Sequence, residues 1–105
     1  MPTIEANTGV ITQINIFTVP EGGQHALIDL LVEAAQACSR VEGWMSASLH
    51  RSLDGTRVVN YAQARDQVAM RRVFEALEAG GFLERNKALG TAHPGVYEVA
   101  FTLEA

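Results

Sequence analysis

Residues Gly43 to Ala64 read GWMSASLHRSLDGTRVVNYAQA, and this stretch decides the fold. Trp44 to Arg51 alternates like a half-buried strand, Asp54-Gly55 offers a two-residue turn that tolerates positive φ, and Thr56 to Ala64 alternates back. A turn of that length sets Leu53 against Thr56 and fixes the register from there. One face then carries Met45, Ala47 and Leu49 opposite Ala64, Ala62 and Asn60. The other carries Ser46, Ser48 and His50 opposite Gln63, Tyr61 and Val59, with Trp44 on the same side. Small apolar residues around one amide suggest the floor of a pocket. Asn60 is its sharpest candidate, because a buried amide needs hydrogen-bond partners, whether in the protein or in a ligand.

Working outward, Val10 to Val19 is rich in β-branched residues and reads as a strand closed by Pro20-Glu21-Gly22-Gly23. Gln24 to Val41 is helical by period, with Leu27, Leu30, Leu31, Ala34, Cys38 and Val41 on one stripe. Asp66 is placed to cap a second helix in which Met70, Val73, Phe74 and Leu77 recur at helical spacing before Gly80-Gly81. Phe82 to Leu89 reads as a short third helix. His93-Pro94-Gly95 reads as a turn, and Val96 to Leu103 as a last strand with Tyr97, Val99, Phe101 and Leu103 on one face. Residues 1–9 form a short arm and residues 10–105 a single domain. The order β-α-β-β-α-(α)-β predicts an α+β, ferredoxin-like plan: a four-stranded, mainly antiparallel sheet with helices on one face. The bare face then calls for a partner, and a homodimer stacking two sheets would cover it.

The 105 residues are 48% hydrophobic and 19% charged, with a net charge of −4. Without a basic stripe, neither nucleic acid nor an anionic membrane is an expected partner. A single cysteine, Cys38, excludes an internal disulfide. No apolar run approaches the roughly 20 residues of a membrane span, and the N-terminus lacks the features of a signal peptide, so the cytoplasm is the expected compartment. His25, His50 and His93 share no metal-ligand spacing, and neither glycine pair has the pattern of a phosphate loop; no metal, nucleotide or flavin is expected. Ala47, Ala62 and Ala64 either let a helix pack closely or leave room for a ligand. Met70, Val73 and Phe74 would form a roof or plain core, and the face presented by Gln13 and Asn15 is open on pattern alone.

INIFTVPEG in the first strand, VEGWMSASLHRSLDGTRVVNYAQ through the hairpin and YEVAFT near the end resemble the antibiotic biosynthesis monooxygenase family. The hairpin is similar in particular to the anthrone monooxygenases of aromatic polyketide pathways. The resemblance implies a dimeric α+β barrel with a pocket between sheet and helices in each protomer. It also implies oxidation of electron-rich polycyclic phenols by molecular oxygen without a cofactor. Asn60 matches the family's strand-three asparagine, expected to hydrogen-bond a substrate oxygen. The family pattern typically ends in NYAQW, and its tryptophan position is Ala64 here. Its aromatic residue late in the first helix aligns with Ala37, its tyrosine early in the second with Met70, and its arginine after that helix falls near Arg85. Haem-degrading relatives use an asparagine at the place of Asn15, but also the tryptophan and a histidine whose place falls near Phe74, which argues against haem degradation.

The resemblance therefore implies a cofactor-independent monooxygenase acting on an aromatic or polyketide-like phenol or quinol. Asn60 would be catalytic, and Asn15, Leu49, Ala64, Met70, Phe74 and Tyr97 would shape the pocket. The same fold also accommodates a polyketide cyclase or a non-catalytic binding module.

Overall fold

The computed structural model describes residues Met1–Ala105. Its elements are β1 (Ile11–Thr18), α1 (Gln24–Cys38), β2 (Trp44–Arg51), β3 (Arg57–Ala64), α2 (Gln67–Ala79), α3 (Phe82–Lys87) and β4 (Thr91–Glu98). The strands form one antiparallel sheet in the order β2-β3-β1-β4, and the helices cover one face of it. This is the ferredoxin-like α+β arrangement. No helix is long and apolar enough to cross a membrane.

The hairpin register is the one the sequence predicts from Arg51↔Val58 through Ser46↔Gln63. It then slips. A β-bulge between Trp44 and Ser46 sets Trp44, not Met45, opposite Ala64. One extra residue turns the indole onto the helix-facing side and leaves Met45 47% exposed. The connection is also longer than two residues. Gly55 donates to the Ser52 carbonyl at 3.2 Å, Ser52 pairs with Arg57, and only Gly55, at φ 81°, uses the left-handed region. Asp54 ties this loop together: its Oδ1 accepts from the hydroxyls of Ser52 and Thr56, each at 2.7 Å, and from the Thr56 N–H at 3.0 Å.

Two further boundaries differ from expectation. The first helix stops at Cys38, where the Ser39 hydroxyl donates to the Gln36 carbonyl at 2.7 Å and the chain turns toward Gly43. His93-Pro94-Gly95 lies inside β4, and Val99 to Leu103 lie beyond it without regular structure. A proline tolerates this position because β4 is an edge strand, where a missing N–H on the open side breaks no ladder bond.

Helix α2 begins as its sequence specifies, with the Asp66 carboxylate accepting from the Ala69 N–H at 2.8 Å. That bond holds the Asp66 carboxyl below its ordinary pKa. Three apolar clusters fix the layers. Phe17, Leu27, Leu31 and Val58 join α1 to the sheet centre, Leu30, Ala34 and Phe82 join α1 to α3, and Ile11, Ala64, Ala69 and Met70 seat α2 on the sheet. The clusters do not merge, and space remains between them.

Candidate active site

That space is a cavity of about 390 Å³ between sheet and helices. Its size lies near the lower end of small-molecule sites, which run from about 300 to 1,000 Å³. The walls are largely apolar: Phe17 and Ala62 from the sheet, Leu31 and Ala34 from α1, Val73, Phe74 and Leu77 from α2, Leu83 from α3, and the Trp44 indole at one side. An open groove of about 280 Å³, lined by Ile11, Gln67, Met70, Arg71 and Val96, continues from it through the shared residues Gln13, Val73, Phe74 and Leu77.

Polar atoms enter this space at few points. Alternation along β1 puts Ile11, Gln13, Asn15 and Phe17 on the helix-facing side, which settles the orientation of Asn15. Asn15 lies directly across the ladder from Asn60, so the two amides are neighbours on the cavity floor. The buried Oδ1 of each has no hydrogen-bond partner, and neither has that of Asn86 on α3, which also lines the cavity. An unsatisfied buried acceptor typically costs about 1–3 kcal/mol. Three such acceptors line this one cavity, and each calls for a partner from outside the protein's own side chains and backbone. The remaining polar lining is Gln13 together with Glu78, Glu84 and Lys87; Glu84 and Lys87 pair with each other at 3.0 Å.

Of the residues singled out from the sequence, Asn15, Asn60 and Phe74 line the cavity and Met70 lines the adjoining groove. Leu49, Ala64 and Tyr97 line neither. Leu49 packs on the Phe17 cluster, and Ala64 is fully buried with Ile11, Ala69 and Met70, where α2 closes over the sheet. Tyr97 pairs with Thr12, which alternation places on the outer face, and is 52% exposed. The shift of β4 toward the N-terminus turns Val96, not Tyr97, toward the helices.

Two positions aligned by resemblance also lie elsewhere. Ala37 is exposed on α1. Arg85 grips Glu33 through both guanidinium nitrogens at 3.2 and 3.1 Å, outside the cavity, and stacks over Phe82. Cys38 does line the cavity. Its thiol sits 4.0 Å from the Val73 carbonyl, and burial pushes its pKa up, so it stays protonated at neutral pH.

Sequence reading missed Asn86 and misplaced Trp44. Asn86 stands in the charged run LERNK, which carries no sign of facing inward. Trp44 depended on a bulge that the Trp-Met pair, both apolar, cannot announce.

No family model matches the chain. Over 72 residues it is 39% identical to tetracenomycin-F1 monooxygenase of Streptomyces glaucescens, a match covering 68% of this chain and 64% of that protein, just under two thirds of its length. The ActVA-Orf6 monooxygenase of Streptomyces coelicolor, solved in complex with nanaomycin D, is 30% identical with a TM-score of 0.77; the match covers 93% of each chain. SnoaB, a cofactor-independent oxygenase from Streptomyces nogalater, shares the fold at 24% identity and a TM-score of 0.82, over 92% of this chain and 99% of that one.

Proposed function

This chain belongs to the antibiotic biosynthesis monooxygenase family, and we propose that it oxidises an aromatic, polyketide-like phenol or quinol with molecular oxygen and without a cofactor. The observation that carries this reading is the pair of unpartnered strand amides, Asn15 and Asn60, on the floor of an otherwise apolar cavity. A flat aromatic body fills the apolar walls, and the amides meet its oxygen. The names of the relatives support the same chemistry.

In the proposed reaction the phenol or enol loses a proton on binding, and the resulting ring anion supplies the electrons. Attack on oxygen forms a carbon–oxygen bond. Loss of water from the peroxide then leaves a quinone carbonyl, so one oxygen atom enters the ring and the other leaves in water with two substrate hydrogens. The protein's work is positioning, dehydration of the site and stabilisation of the anion. The Asn60 amide meets the ring oxygen, its Oδ1 accepting from the hydroxyl of the neutral phenol and its N–H donating as charge develops there. Trp44, Phe74 and Leu77 exclude water and hold the ring plane. Trp44 stands across the strand pair from Ala64 and supplies aromatic surface on that side.

The protein acts as a cytoplasmic homodimer in this reading, joined through the outer sheet face. Oxygen-electrode measurements with a panel of anthrones and hydroquinones test the proposal. One oxygen molecule should be consumed per quinone formed, and labelled oxygen should appear in the product. Binding without oxygen uptake across the panel would make the chain a binding module. Ring closure without oxygen would make it a cyclase.

A further inference from the structure

Asn86 has no role in the reaction just described, yet its surroundings fix it firmly. Its carbonyl accepts from the N–H groups of Leu89 and Gly90, at 3.0 and 3.1 Å, where α3 turns into β4. Phe82 anchors the same helix from beneath in the cluster with Leu30 and Ala34. The neighbouring Arg85 is held on the outside by Glu33. The amide between these anchors lines the cavity, and its buried Oδ1 meets no protein donor. Asn15 and Asn60 occupy the sheet floor, whereas Asn86 belongs to the helix layer. The cavity therefore has side-chain acceptors without a protein donor on two different layers, the sheet floor and the helix side.

We propose that Asn86 is a second polar anchor that binds an oxygen substituent of the ligand distinct from the one at Asn15 and Asn60. The anchor makes the protein selective for ring systems carrying oxygen at two separated positions. This rests on the aromatic-ligand reading above. An amide suits the task because it accepts from a hydroxyl and donates to a carbonyl. An acceptor without a protein donor also gives up no bond within the protein when a ligand arrives.

Anaerobic titration calorimetry on the full chain provides the test, with two probes: a naphthol bearing one hydroxyl and a naphthalenediol bearing one on each ring. The wild type should bind the diol about tenfold more tightly, as one additional hydrogen bond allows. Asn86→Leu, close in volume, should abolish that preference while leaving the naphthol unchanged. It should also raise the melting temperature of the empty protein, because an unsatisfied carbonyl is removed. Asn86→Ala should lose the same preference and serves if the leucine does not pack. Equal weakening of both probes, or a lower melting temperature for Asn86→Leu with the diol preference intact, would assign Asn86 to the structure alone and overturn the anchor. A wild type that binds both probes equally also overturns it. A wild type that binds neither overturns the aromatic reading itself, and that result is visible before any variant is made.

Discussion

Asn15 on β1 stands directly opposite Asn60 on β3, and neither side-chain carbonyl accepts a bond from the other amide. Two neighbouring amides could satisfy each other, and in a sealed core they would. Here both line a cavity, and each keeps an oxygen without a protein donor.

Asn60→Ala therefore tests function without disturbing a partner. Removing a donor to a developing anion typically costs roughly 2.7–4 kcal/mol of transition-state stabilisation, about 10²–10³ in rate. The expected outcome is that loss of turnover with a melting temperature close to wild type, since nothing in the protein is left unpaired. A variant that melts lower yet keeps wild-type turnover per folded molecule would remove Asn60 from the mechanism.

The hairpin, the two long helices and the Asp66 cap were legible because each rests on a local pattern: alternation, helical period, or a side chain within reach of its own backbone. The places where reading failed depend on tertiary position. Pro94 looks like a turn until β4 is known to be an edge strand. Trp44 reads as an outer-face residue until the bulge is seen, and one residue of slip reverses its side. Asn86 sits on a six-residue helix too short for a periodic signal. Asn60 was legible as a cavity-lining residue because an amide among alanines on a strand is anomalous in itself.

Gly43 sets the entry to that bulge. Its φ is 88°, and an added Cβ would lie 2.5 Å from the Cβ of Ala69 at the start of α2. Its carbonyl also accepts from the Arg65 N–H at 2.8 Å, closing the base of the hairpin. Gly43→Ala should destabilise the fold by about 1–3 kcal/mol, as overpacking does. It should also alter the emission of Trp44, the single tryptophan. An unchanged melting temperature would mean that α2 shifts freely, contrary to the packing of Ala69 and Met70 on Ile11 and Ala64 that seats it on the sheet.

The Asp54 loop predicts a pH dependence. Hydrogen bonds from the Thr56 hydroxyl first, then from the Ser52 hydroxyl and the Thr56 N–H, hold the carboxyl well below its ordinary value of 3.8. The folded pKa is depressed, so the stabilisation is fully present above the unfolded value. It is lost as pH falls through the folded one. Asp54→Ala should lower the melting temperature at neutral pH, and the gap should narrow in strongly acid solution. A gap of equal size at both ends of a thermal-denaturation series would assign the effect to loop shape, not charge.

The outer sheet face predicts the assembly. Ile14 pairs with Tyr61 and Ile16 with Val59, so four large side chains form one patch across the two central strands, on the side the helices leave bare. Ile16 is 40% exposed, an unusual position for an isoleucine mid-strand in a central strand. Stacking this face on its own copy makes a two-fold contact, and a stable one buries about 1,200 Å² or more in total. Light scattering should give twice the 11.4 kDa chain mass. Ile16→Asp should shift the protein toward monomer by placing a charge in an apolar contact, while the cavity on the opposite face keeps its ligand affinity. A wild type that runs as a clean monomer at micromolar concentration would sink the dimer. An Ile16→Asp dimer as tight as wild type would move the interface off this face.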